Sequence, residues 1–150
     1  MSKDIEILSV SILNSLYDNC LSTLNPIHLA FEIKFNKPIE RFRIGGSVFT
    51  VEDYKVGTFF TNESENLRGH EILKIEVILT NHNLSKGNYY FAFSIGKGDE
   101  EIGNVEYDIV YEVLNFEITH KLGMKSPINN WPNSWGNINF QSKLEIIDEK

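Results

Sequence analysis

The chain has 150 residues, 41% hydrophobic and 23% charged, with a formal net charge of −7. That length and apolar content fit one domain, residues 1–150, and exclude a disordered chain. The acidic balance, with no cluster of Lys or Arg, excludes a nucleic-acid binder and disfavours an anionic membrane surface.

The single cysteine, Cys20, rules out an internal disulfide, and a buried small hydrophobe is its expected role. No run approaches the roughly 18 apolar residues of a membrane helix. The start, Met1-Ser2-Lys3-Asp4, leads into no signal-like stretch. A cytoplasmic protein without direct membrane insertion is expected.

In chain order, Ile5, Leu8, Val10 and Ile12 mark a first strand-like run. Residues 14–19 are polar and turn-prone, with Tyr17 exposed among them. Ile27, Leu29, Phe31, Ile33 and Phe35 then alternate with His28, Ala30, Glu32, Lys34 and Asn36, a period-two pattern with one buried face and one wet face. Residues 39–51 form another extended run, where Gly45-Gly46 predicts a bulge. Glu52-Asp53-Tyr54-Lys55 reads as a hairpin turn into 56–61, and 62–68 as a loop.

Ile72, Ile75, Val77 and Leu79 predict the next strand, and Tyr89, Phe91, Phe93 and Ile95 the one after it. The polar bend between them predicts that these two pair antiparallel. Residues 96–104, glycine-rich and acidic, read as a loop. Residues 105–112 are ambiguous between strand and helical turn, and Leu114, Phe116 and Ile118 alternate again. The tail holds Trp131 and Trp135, then Ile138, Phe140, Leu144 and Ile146. Recurring strand-sized runs without helical periodicity predict an all-β fold, an antiparallel β-sandwich.

Catalytic signatures are missing. There is no G-x-S-x-G. The four histidines, His28, His70, His82 and His120, are scattered without metal-ligand spacing, and one cysteine cannot build a zinc site, so no metal or cofactor is expected. The Ile95–Asp99 glycines lack phosphate-loop spacing. Asp99, Glu100 and Glu101 lack the alternation of a calcium loop.

The remaining polar and aromatic residues suit sugar recognition. A ring lies under a sugar's C–H face, and amide or charged groups satisfy its hydroxyls. Asn130, Trp131, Asn133 and Trp135 carry both ingredients within one short loop; the alternative is that the indoles plug an open end of the sandwich. His28 and Lys34 on the wet face of the 27–36 strand, with Arg43 from the next run, are candidates for a polar concave face. The alternative there is an ordinary solvated face.

Three segments carry a resemblance. The first is Leu67-x-Gly69, a strand, then Leu84-x-x-Gly87-x-Tyr89; the second is Tyr107-Asp108 through Phe116-Glu117-Ile118; the third is Val48-Phe49-Thr50-Val51 through Phe59-Phe60-Thr61-Asn62. Together they resemble the C-terminal carbohydrate-binding domain of O-antigen ABC-exporter ATPases, the Wzt type.

The resemblance implies an immunoglobulin-like or jelly-roll sandwich that binds a bacterial surface polysaccharide, often at its non-reducing end, before export. It implies an ABC exporter or a sugar-modifying enzyme as partner, and a homodimer exchanging C-terminal strands over residues 137–147. The family's nucleotide-binding half is absent from these residues, so no enzyme activity is expected. The competing readings are a structural or protein-docking sandwich and, behind it, a glycosidase whose paired carboxylates nothing in the sequence identifies.

Overall fold

Alternation is what makes strands of this chain. In Ile27–Phe35 every odd residue is buried and every even one is partly exposed. The computed structural model describes residues 4–23, 25–39, 41–65, 71–99, 103–119 and 131–147. Among them run strands β1 (Ile5–Ile12), β2 (Cys20–Ser22), β3 (Ile27–Phe35), β4 (Arg41–Thr50), β5 (Lys55–Phe60), β6 (Ser64–Glu65), β7 (Ile72–Leu79), β8 (Gly87–Asp99) and β9 (Gly103–Thr119). No helix among the described residues is long and apolar enough to cross a membrane.

One sheet has the order β1-β3-β7. The other has the order β2-β9-β8-β4-β5, with β6 also pairing to β4. Every pairing is antiparallel except that of β2 with β9. Phe31 on β3 meets Phe93 on β8 edge-on at 4.9 Å, and Phe35 meets Phe42 on β4 at 5.6 Å. Both contacts cross from sheet to sheet, so the inner faces pack together as a β-sandwich. Ile5, Leu29, Ile33, Ile44, Phe91 and Ile95 lie fully buried between them, each contributing roughly 1.5–3 kcal/mol of hydrophobic stabilisation. Cys20 is buried.

Two polar groups inside this core are satisfied. The register of β1 on β3 slips between Ile7 and Ser9, and the Ile7 N–H donates to the buried Asp108 carboxylate of β9 at 3.1 Å. Asp108 thereby ties the two sheets together and takes up a donor at the irregularity. The buried Tyr89 hydroxyl donates to the Ser85 carbonyl at 2.7 Å, fastening the loop before β8.

Four expectations change. β7 and β8 do not pair with each other: β7 pairs with β3, and β8 with β4 and β9. The bend between them, where Asn81 and Asn83 take left-handed backbone conformations, carries the chain from one sheet to the other. Residues 96–99 and 103–104 are not loop but the continued β8–β9 ladder, with Gly98 opposite Asn104 and Asp99 opposite Gly103. Gly45 and Gly46 stay in register with β5 and β8, and the irregularity falls between Val48 and Phe49 instead. The expected 62–68 loop contains the short β6, while Leu67, Gly69 and His70 lie outside the described residues.

The bend is pinned by His82. Its Nε2–H donates to the Asn25 carbonyl at 2.8 Å, and its Nδ1 accepts the Leu84 N–H at 3.0 Å. Burial holds the imidazole below its ordinary pKa, against a smaller upward pull from the Asn25 carbonyl. Next to it, Leu84 bridges to Ile138, flanked by Ser85 N–H to the Asn137 carbonyl and Asn139 N–H to the Asn83 carbonyl. The C-terminal segment is thus anchored at 137–139. Past that point Phe140, Leu144, Ile146 and Ile147 stand exposed, Ile147 at 97%.

Candidate functional site

The outer face of the six-stranded sheet carries the most developed surface feature. On β4, Phe42, Ile44, Gly46 and Val48 point inward, so Arg43, Gly45, Ser47 and Phe49 point outward. On β8, Tyr89, Phe91, Phe93 and Ile95 point inward, leaving Tyr90, Ala92, Ser94 and Gly96 outside. The register sets these outward residues directly opposite one another: Phe49 with Tyr90, Ser47 with Ala92, Gly45 with Ser94, Arg43 with Gly96. From β5, Lys55 faces Phe49, Thr58 faces Ser47, and Phe60 faces Gly45.

Size along these rows shapes the surface. Large side chains stand at the ends and small ones in the middle, so a trough of about 240 Å³ opens over Ser47, Thr58, Ala92 and Ser94, between Phe49 and Phe60. Tyr90 and Ala92 are buried although they face away from the core, which places them below the side chains around them. The rings of Phe49 and Tyr90 stack at 5.0 Å and 8°. The Tyr90 hydroxyl donates to Asp53 at 2.8 Å, and the left-handed backbone at Asp53 turns the hairpin that holds it. Ser47 and Thr58 hydroxyls bond each other at 2.8 Å across the floor. The Lys55 ammonium lies 5.6 Å from the Phe49 ring, and the Arg43 guanidinium 4.5 Å from the Phe60 ring.

A larger opening of about 510 Å³ lies between the β7 margin of one sheet and the β4–β5 side of the other. Phe42, Ile44, Ile75, Val77 and Leu79 give it an apolar lining, with Thr61, Asn62 and Glu76 among its polar groups. It is a seam where the two layers part, and Phe59, Phe60, Ser64 and Thr80 also line it, so its walls mix apolar and polar groups.

The residues singled out from sequence do not converge on one site. His28 and Lys34 lie on the outer face of the three-stranded sheet, where the His28 Nδ1 sits 2.7 Å from Glu76 on β7. Arg43 lies on the outer face of the other sheet. The expected polar concave face joining the 27–36 strand to the 39–51 run is therefore not formed, because β3 and β4 belong to different sheets on opposite sides of the core. Trp131 and Trp135 meet edge-on at 5.4 Å, with Trp135 54% exposed and the Trp131 indole N–H on the Gly136 carbonyl. Neither indole lines either opening. Asn133 opens the short 3-10 turn that brings the indoles together, and Asn130 lies outside the described residues.

None of the residues lining the trough was foreseen as a binding residue; Arg43, which was, stands beside it with its guanidinium over Phe60. Phe49, Lys55, Phe60 and Tyr90 were read merely as parts of strands and a turn. The available signal was phase: Phe49 and Tyr90 are aromatic at positions out of step with the buried residues on their strands.

A family model for the Wzt C-terminal domain matches residues 1–129. Among solved structures, the crystal structure of the C-terminal domain of Wzt superposes with a TM-score of 0.73 at 15% identity, covering 97% of this chain and 85% of that one. A beta-glucosidase from Listeria innocua in complex with glucose matches more distantly, with a TM-score of 0.43 at 16% identity over 79% of this chain and 16% of that one. No curated protein matches the chain.

Proposed function

The chain belongs to the Wzt C-terminal domain family, and we propose that it is a non-catalytic domain that recognises a surface polysaccharide for ABC-transporter export. The observation that carries this reading is the trough on the outer face of the six-stranded sheet. Phe49, backed by the stacked and buried Tyr90, offers a flat apolar ring at the trough for the C–H face of a sugar. Ser47, Thr58 and Ser94 beside it offer hydroxyls that both donate and accept, matching hydroxyls of a saccharide that would otherwise be left unsatisfied. Binding of this kind holds a chain end without altering it, and stacking plus a few hydrogen bonds gives modest affinity per site.

The Trp131–Trp135 pair, with the exposed Trp135 and with Asn130 and Asn133 close in sequence, is a second aromatic element and belongs to the proposal as a secondary contact. His28 and Lys34, on the far face, are placed to serve only a separate contact. The reading also includes a cytoplasmic location beside an exporter. It includes a homodimer exchanging residues 137–147, which is supported by the anchored 137–139 stretch and the exposed apolar side chains that follow it. Paired domains would raise avidity for a repeating polymer.

Glycan binding is tested by titrating the domain with lipopolysaccharide-derived polysaccharide in a calorimeter, comparing wild type with Phe49→Ala, Tyr90→Ala, Trp131→Ala and Trp135→Ala. Loss in the first two places the site in the trough. Loss only in the tryptophan variants moves it to the 131–135 loop. Absence of binding by the wild type rejects the glycan reading in favour of a protein-docking sandwich.

A further inference from the structure

We infer that the trough is selective for a saccharide carrying an oxyanion, a carboxylate or a phosphate, and that Lys55 reads that charge. The inference rests on the glycan reading above and narrows its substrate class. Lys55 is the only charged residue lining the trough among the described residues. Its ammonium stands beside Phe49, the ring on which a sugar would stack, at 5.6 Å from the ring centre. Among the described residues no carboxylate lies within ion-pair distance of it. The nearby Asp53 is engaged by the Tyr90 hydroxyl.

An ammonium has three donors and no acceptor. A neutral sugar hydroxyl is served as well by Ser47 or Thr58, whereas an oxyanion, with acceptors only, is matched by Lys55. A second cation stands on the same face. Arg43 lies six residues along β4 from Phe49, about 20 Å at strand rise, with its guanidinium over Phe60. The chain as a whole is at −7 and repels an anion at long range. Selectivity must therefore come from these local contacts, formed after docking and screened by salt.

The test uses the full chain on an array of purified bacterial polysaccharides in three arms: neutral, uronate-bearing and phosphate-bearing. Each hit is then titrated with wild type, Lys55→Gln, Lys55→Arg and Phe49→Ala. The expected result is binding confined to the acidic arms. Affinity should fall about tenfold or more in Lys55→Gln, as for one charge-assisted hydrogen bond, be largely kept in Lys55→Arg, and weaken between 50 mM and 500 mM salt. The acidic arm that responds identifies carboxylate or phosphate as the ligand group. Binding to neutral polysaccharides that Lys55→Gln leaves unchanged, but Phe49→Ala removes, overturns the charge selectivity while the glycan reading stands. Silence on every arm overturns both.

Discussion

Gly45 and Gly46 are neighbours on β4, and the pleat sends them to opposite faces of the sheet, so adding one methyl group at each separates trough from core. A Cβ on Gly46 would point inward, colliding with the Phe59 ring and lying 3.1 Å from the buried Phe93. Phe93 cannot retreat without opening the packing between sheets, and the partly buried Phe59 must be displaced from its place against the core; overpacking of this kind costs about 1–3 kcal/mol. Against that, alanine restricts the unfolded chain more than glycine does, which returns about 0.4–1 kcal/mol where the backbone is compatible. Gly46→Ala should therefore lose up to roughly 2.5 kcal/mol net.

A Cβ on Gly45 would meet the Ser94 hydroxyl at 2.7 Å and the Phe60 ring at 2.8 Å. Phe60 is half exposed and can swing towards solvent, so the entropic gain and the displacement should nearly cancel. Urea denaturation of the two variants, with slopes shared, measures the difference. At this chain length it corresponds to a midpoint temperature about 5 °C lower for Gly46→Ala. Saccharide affinity should move the other way, weakened by Gly45→Ala and kept by Gly46→Ala. Equal destabilisation, or a larger loss at Gly45, would refute the assignment of faces on β4 and the trough with it.

Removing the Tyr90 hydroxyl in Tyr90→Phe should cost about 0.5–1.5 kcal/mol by deleting its bond to Asp53, while the stacked ring stays; an unchanged urea midpoint counts against that hydrogen bond. Phe31→Leu and Phe93→Leu should couple by about 0.5–1.5 kcal/mol in a double-mutant cycle, because their rings touch across the two sheets, and strict additivity would argue that they do not. His82 has a folded pKa below its unfolded value near 6.5, so the unfolded chain binds the extra proton between the two values. Its contribution to stability is present above about pH 6.5 and is lost as pH falls through the folded value, at no more than about 1.4 kcal/mol per pH unit. The gap between wild type and His82→Gln in urea melts should narrow as pH falls below about 6.5, and a constant gap would refute the half-buried neutral imidazole.

Much of the fold is written in β3, where five alternate apolar residues fix which face is buried before any neighbour is known. What alternation does not encode is the neighbour itself. β7 and β8 each have a legible inner face, yet a short polar connector reads alike whether it turns a hairpin within one sheet or crosses to the other; the left-handed Asn81 and Asn83 send it across. The far end of the β8–β9 hairpin escaped for a related reason. Its sequence there is rich in glycine and poor in apolar residues, so the ladder that continues to Asp99 and Gly103 leaves no trace in the apolar pattern.

The site was legible only in part because residue type and residue phase point to different places. Choosing polar side chains by type selects His28, Lys34 and Arg43, which the two sheets hold on opposite sides of the molecule. Choosing by phase selects aromatics where a solvated strand face would carry polar groups, namely Phe49 between Val48 and Thr50, and Tyr90 between Tyr89 and Phe91. Register then does what neither strand does alone, setting Phe49 opposite Tyr90 and the small pairs Ser47–Ala92 and Gly45–Ser94 in succession beyond them. A trough made in this way depends on side-chain size more than on loops. Enlarging Ala92, as in Ala92→Leu, should fill it from below and abolish saccharide binding; because Ala92 is buried beneath its neighbours, crowding should cost up to about 1–3 kcal/mol. A folded Ala92→Leu domain that still binds at wild-type affinity would show that the ligand sits elsewhere.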